Sequence, residues 1–150
     1  MLEIHAMTQR HRLWEETISF AENCSWKAGA YLAELMKQNE FLDWERVFVA
    51  YDGEKVVGYC TFVERDELPG TYNFSPFIGF VFVDEKYRGK RISEMMMQAA
   101  IEYAGVIGYE AVYVISGEQG LYEKYGFEKL GDNRTIYDSV EQLFIRTTKL

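Results

Sequence analysis

The feature that most constrains this chain is the uninterrupted apolar run FIGFVFV, Phe77 to Val83, followed within one helix length by a second one, AVYVIS. A strand that alternates apolar and polar residues has one wet face. A continuous run reads instead as a central strand covered on both sides. Between the two lies DEKYRGKRIS, a basic, glycine-containing turn, and then an amphipathic stretch. Its inner face is expected to comprise Met96, Ala99, Ala100, Tyr103 and Ile107, with Gly108 as its C-cap. Two buried strands joined through a helix form a parallel, right-handed crossover, here Phe77 to Ser116.

The remainder of the chain builds around that unit. Leu2, Ile4 and Ala6 alternate with polar neighbours and read as a short first strand. Thr8 is expected to cap a helix with the stripe Leu13, Trp14, Thr17, Ile18 and Ala21. A second helix after Ser25 carries Ala28, Tyr31, Leu32, Leu35 and Met36. VFVAY, the Asp52-Gly53 turn and KVVGYCTFV read as a β-hairpin. Arg65 to Pro76 reads as a loop, Leu121 to Tyr125 as a brief helix closed by Gly126, and the rest as a strand from Phe127 and a last strand QLFIRTT. The expected fold class is α/β (α+β), a mixed sheet with helices on both faces, in a single domain spanning 1–150.

Composition narrows the functional classes. At 150 residues, about 68–70% of the unfolded surface can be buried, so neither disulfides nor a structural metal is required for stability. The 16 Lys+Arg against 24 Asp+Glu give a net charge of −8, which repels nucleic acid and anionic membranes and attracts cationic small molecules. The start MLEIHAMTQRHRLWEE lacks the apolar core of a signal peptide, and no run reaches the roughly 20 residues that span a bilayer. The expected location is cytoplasmic. Cys24 and Cys60 stand in no CxxC spacing and read as reduced thiols. His5 and His11 have no ligand spacing with other residues, so no metal is expected.

Two segments carry candidate chemistry. Arg88, Gly89, Lys90, Arg91, Ile92 and Ser93 stand where a strand turns into a helix. Orphan N–H groups, the positive end of the helix dipole and three cations make such a junction an anion site, with phosphate the obvious guest. The alternative reading is a solvated basic turn balanced by Asp84 and Glu85, with Ser93 as helix N-cap. The second segment is GLYEKYGF, a one-turn helix that presents Tyr122 and Tyr125 before re-entering a strand at Phe127.

Together these segments, over Phe77 to Gly131, resemble the GCN5-related N-acetyltransferase (GNAT) superfamily. Its signature is a central strand, a pyrophosphate loop [RQ]xxGx[GA] opening a helix, a strand, and a Tyr-bearing short helix ending in GF. Arg88 matches the first loop position, whereas Arg91 and Ser93 replace the glycines that let phosphate oxygens approach the backbone. The resemblance implies a mostly antiparallel sheet splayed between two central parallel strands, with acetyl-coenzyme A as co-substrate. It implies that the pantetheine arm pairs with backbone near Phe82 and Val83, and that the Val83 N–H polarises the thioester carbonyl. Tyr122 then protonates the departing thiolate, a step suited to a phenol of pKa near 10 facing a thiol near 8.5; Tyr125 packs.

The general base is not marked. Phe77 occupies the position where the histone-acetylating branch carries a carboxylate, which leaves Glu64, Asp66, Glu67, Glu118 or a water relay. The expected activity is direct transfer of an acetyl group to a primary amine, borne by a small molecule or a peptide, in a ternary complex. The acidic balance favours cationic acceptors such as a polyamine, an aminoglycoside or a lysine side chain. The alternatives are a non-catalytic acyl-coenzyme A sensing module, motivated by the two lost glycines, and a dimerisation domain. A homodimer is a further expectation.

Overall fold

The computed structural model describes residues 1–66 and 73–149. The elements follow the expected order: β1 (Glu3–Met7), α1 (Trp14–Asn23), α2 (Ala28–Gln38), β2 (Arg46–Tyr51), β3 (Val56–Val63), β4 (Phe77–Val83), α3 (Ile92–Val106), β5 (Ala111–Ser116), α4 (Leu121–Lys124), β6 (Glu128–Arg134) and β7 (Val140–Thr147). The hydrogen-bonded strand order is β1-β2-β3-β4-β5-β7-β6, a mixed sheet in which β4 and β5 run parallel and the β1-β2, β2-β3, β5-β7 and β6-β7 pairs antiparallel. Tertiary contacts divide the chain into two compact units, Met1–Phe62 with Phe80–Ala100, and Val63–Gly79 with the chain from Ile101 onward.

In the first unit β1, β2 and β3 form an antiparallel ladder, and the Asp84 N–H donates to the Val57 carbonyl at 2.8 Å where β4 ends beside β3. Helices α1 and α2 pack on a core that includes Met7, Trp14, Ile18, Leu32, Met36, Val47, Val49 and Tyr59. The α1 stripe is buried as expected. Thr8 does not cap α1, however: its carbonyl accepts from His11 N in a preceding turn, and Leu13 occupies the N-cap. In α2 the buried residues are Gly29, Leu32, Ala33 and Met36, so the stripe is turned from the expected one and Tyr31 faces outward. The cause is close approach. A Cβ at Gly29 would collide with the Ala21 carbonyl oxygen of α1 and lie 2.6 Å from Cys24 Sγ and 2.9 Å from the Tyr59 hydroxyl, so the helix seats its smallest residues inward.

In the second unit β5 pairs with β7 and β7 with β6, over a core that includes Phe77, Ile115 and Leu143. The parallel β4–β5 ladder shows one pair among the described residues, Phe77↔Tyr113. Helix α3 runs from the first unit into the second and buries Ile92, Met96, Met97, Ala100, Ile101 and Ala104. Met96 and Ala100 were expected on its inner face; Ile107 lies beyond the helix and is 38% exposed. Gly108, at φ 105°, closes the helix as expected, with the Tyr109 N–H returning to the Ala104 carbonyl. No helix among the described residues is long and apolar enough to cross a membrane.

Candidate functional site

Strand β4 is irregular where the candidate site begins. Phe80 sits in its middle at φ 48°, a left-handed conformation that is a genuine outlier for a bulky side chain. Such strain costs on the order of 1–3 kcal/mol and persists only where its surroundings over-determine it. Beyond it Phe82 and Val83 are buried, at 7% and 8% exposure. Gly58 on β3 explains the close packing there, since a Cβ would fall 2.9 Å from the Phe82 carbonyl oxygen.

From β4 the chain passes through a single 3₁₀ turn, Glu85–Tyr87, capped by the Asp84 carboxylate accepting from the Lys86 N–H. Arg88 folds back on the strand: its Nε donates to the Val83 carbonyl at 3.1 Å and its guanidinium lies 5.6 Å from the Phe82 ring centroid. Gly89 follows at φ 81°, with open space where a Cβ would stand. Arg91 is also left-handed, at φ 61°. The chain therefore keeps, with an arginine, the backbone conformation that a glycine would adopt freely.

Left-handed residues placed in a turn aim successive N–H groups toward one side, as anion-binding nests do. The Arg91 carbonyl accepts the Met95 N–H at 3.0 Å, so the helix begins at this residue. The buried Ile92 opens α3, and Ser93 lies inside the first turn rather than capping it. The Arg91 side chain is 85% exposed and stands 3.6 Å from Glu94, while the Lys90 ammonium lies 5.3 Å from the Tyr87 ring. The residues present thus suit a phosphate-bearing ligand: left-handed backbone, the start of a fifteen-residue helix, and the exposed cations Lys90 and Arg91.

Sequence reasoning missed what holds this turn in place. Tyr87 donates from its hydroxyl to Asp52 Oδ2 at 2.6 Å, and Lys55 reaches the same ring at 5.6 Å. Asp52 also accepts the N–H groups of Glu54 and Lys55, and with the Tyr87 hydrogen bond as the largest cause its pKa is lowered to about 2. The β2–β3 turn is thereby tied to the turn before α3. Tyr87 stands in the DEKYRGKRIS segment, but its partner is 35 residues away and no local pattern marks it.

In the second unit, α4 carries Tyr122 buried at 6%, its ring packed on Phe144 at 5.5 Å, Phe127 at 5.9 Å and Tyr125 at 6.2 Å. The Phe127 N–H returns to the Tyr122 carbonyl and Gly126 adopts φ 87°, closing the helix as the GF pattern requires. Of the candidate bases, Glu64 and Glu118 are exposed and Asp66 is half-buried. The carbonyl of Glu64 accepts from Ser75, and that of Glu118 from the Gln142 amide. Glu67 lies outside the described residues. Among those residues no group of three or more His, Cys, Asp and Glu is arranged to hold a metal. Both cysteines are free, and burial pushes the Cys60 thiol up to about 12, which leaves it inert near neutral pH.

Comparison with known proteins gives a consistent result. The family described as "Acetyltransferase (GNAT) domain" matches residues 43–129, more than half of the chain. A curated relative in Escherichia coli strain K12, described as the uncharacterized N-acetyltransferase YhbS, is 30% identical over 105 residues, which is 67% of this chain and 59% of that protein. The chain thus spans less than two thirds of that relative. Among solved structures, aminoglycoside 6'-acetyltransferase type Ii matches with a TM-score of 0.73 at 13% identity, over 99% of this chain and 98% of the other. The YhbS structure from Escherichia coli, in complex with CoA, matches with a TM-score of 0.71 at 21% identity, over 98% and 81%. At these identities the structural likeness is one of fold.

Proposed function

The chain belongs to the GNAT acetyltransferase family, and from that premise we propose that residues 1–150 act as a single N-acetyltransferase domain moving an acetyl group from acetyl-coenzyme A to a primary amine. The observation that carries the donor half is the turn between β4 and α3, where Gly89 and Arg91 are both left-handed beside Arg88 and Lys90. In this reading the turn and the first α3 amides bind the pyrophosphate. The backbone of Phe82 and Val83 holds the pantetheine arm, and the Val83 N–H stabilises the oxyanion.

Chemically, the amine nitrogen forms a bond to the acetyl carbonyl carbon and the carbon–sulfur bond breaks. Tyr122 delivers its phenolic proton to the departing thiolate; of the two protons the ammonium nitrogen loses, one leaves through a carboxylate or water and the other returns to the Tyr122 phenolate. The packed rings of Tyr125, Phe127 and Phe144 support this role by fixing the Tyr122 ring. The site of action in this reading is the cytoplasm.

The test has two arms. Acetyl-coenzyme A should raise the melting temperature, by the equivalent of about 2.7 kcal/mol at a hundredfold excess over Kd. A panel of primary amines should then release coenzyme A with at least one acceptor. No thermal shift at millimolar donor refutes the reading; a shift without turnover by any amine favours a sensing module.

A further inference from the structure

Six aromatic rings of the first unit gather on β3, β4 and the α1–α2 segment. Tyr59 and Phe82 are buried, and Phe20 packs on both at 5.9 and 6.1 Å. The other three pack against these and one another, Trp26 also stacking on Tyr59 at 6.4 Å, and still keep exposed surface. Trp26 is 37% exposed, Tyr31 57%, and Phe80 is only partly buried. Tyr31 stacks on Phe80 at 6.1 Å and 7°, and Trp26 meets Phe80 edge-on at 6.0 Å and 64°. Trp26 also stacks flat on Phe82, at 6.0 Å and 10°.

Two features set this surface apart from ordinary core. The first is that α2 turns Tyr31 outward although its spacing suits the buried stripe, and Trp26 stays partly exposed beside it. The second is the left-handed backbone of Phe80, a strained conformation that sends its ring to Tyr31 and Trp26. Strain retained at one residue, in the strand that carries Phe82 and Val83, points to a function for its side chain.

We propose that Trp26, Tyr31 and Phe80 recognise the acceptor, and that the acceptor is a primary amine on a short arm from an aromatic ring or a similarly flat apolar body. This rests on the acetyl-transfer reading above, because it is Phe82, under Trp26, that the reading places along the donor. The faces of the rings carry negative charge that attracts an ammonium, and the net charge of −8 draws cations in. The apolar body stacks on the exposed rings. A polyhydroxylated amine is disfavoured, since its hydroxyls would lose water against ring faces that cannot pair with them. The Tyr59 hydroxyl is already engaged by Cys24 at 3.5 Å.

The experiment uses the full chain saturated with coenzyme A and follows the Trp26 indole resonance, assigned by its loss in Trp26→Phe. 2-Phenylethylamine should shift that resonance saturably and bind about three- to thirtyfold more tightly than butylamine, which has the same charge and no ring. Trp26→Ala and Tyr31→Ala should each erase most of that preference while leaving coenzyme A affinity unchanged. With acetyl-coenzyme A, 2-phenylethylamine should be acetylated with a higher kcat/KM than spermidine or an aminoglycoside. Absence of a shift at Trp26, equal binding of butylamine, or preferred turnover of the aminoglycoside overturns the proposal while leaving acetyl transfer intact. Binding of 2-phenylethylamine without its acetylation, in a protein that acetylates other amines, overturns it as well. Failure of coenzyme A to bind is a different result and removes the donor reading itself.

Discussion

The Tyr87 hydroxyl donates to Asp52 Oδ2 at 2.6 Å, and so joins the turn of the β2–β3 hairpin to the residue that precedes Arg88. The Asp52 carboxylate accepts from Tyr87 first, then from the Lys55 and Glu54 amides, and its pKa falls to about 2. A carboxyl depressed in this way stabilises the fold fully above its ordinary value near 4, and the contribution is lost as pH falls toward 2.

Tyr87→Phe removes one donor atom and keeps the ring. It should leave the fold intact, weaken coenzyme A binding and raise the mobility of residues 84–91. Asp52→Asn should do the same, and wild-type donor affinity should show no titration step from Asp52 between pH 5 and 8. Calorimetry of coenzyme A binding across that range, in the three proteins, checks both expectations. Undiminished affinity in both variants would show that the tie does not position the turn.

Arg91 separates backbone from side chain. Its left-handed φ favours glycine, so Arg91→Gly should raise unfolding stability by up to about 1 kcal/mol. If the guanidinium also reaches phosphate, the same variant should bind acetyl-coenzyme A about three- to tenfold more weakly, a modest loss because the side chain is 85% exposed. Tighter binding by Arg91→Gly would mean that the arginine merely obstructs the turn.

Thr61 on β3 is buried at 1% exposure, and its hydroxyl has no hydrogen-bond partner among the described residues. Replacing it with valine keeps the shape and removes a desolvated polar atom. Thr61→Val should therefore stabilise the protein by about 1 kcal/mol in urea unfolding, with unchanged m. A loss of stability would reveal a partner for the hydroxyl.

His11 gives the chain a second pH dependence. Its Nδ1 accepts the Leu13 N–H at 3.1 Å, and burial first, then His5 and Arg12, lowers its pKa. The unfolded chain then takes up the proton more readily than the folded one, so stability should fall as pH drops below about 6.5. His11→Asn should flatten that fall between pH 7.5 and 5 in denaturant titrations; an identical slope in the variant would assign it to another group.

These relationships divide into those a sequence carries and those it cannot. FIGFVFV and AVYVIS announce a buried parallel pair because no polar residue interrupts them, and Asp52-Gly53 marks the hairpin by its own turn chemistry. Tyr31 was misread because helical spacing cannot say which of two neighbouring faces will meet a partner; Gly29 decided that by admitting the Ala21 carbonyl of α1, with Cys24 Sγ and the Tyr59 hydroxyl beside it. Thr8 was misread as a cap because an extra turn intervenes before α1. In the candidate site, RGKRIS was legible as a basic turn opening a helix, whereas the left-handed Arg91 and Phe80 were not. A non-glycine residue gives no local sign of positive φ when tertiary packing imposes it.

Tyr122 carries the prediction closest to the chemistry. Tyr122→Phe deletes one hydroxyl and keeps a ring packed against Phe127 and Phe144, so stability and donor affinity should be nearly unchanged. If the phenol protonates the thiolate in the transition state, kcat should fall by about 10²–10⁴ with KM for acetyl-coenzyme A little altered. Tyr125→Phe is the control: it removes the same atom from a ring 6.2 Å away and should retain activity. A Tyr122→Phe enzyme as fast as wild type would mean that the thiolate leaves unaided or takes its proton from water. A loss confined to Tyr125→Phe would move the acid one turn along the chain, to the residue whose N–H already returns to the Tyr122 carbonyl.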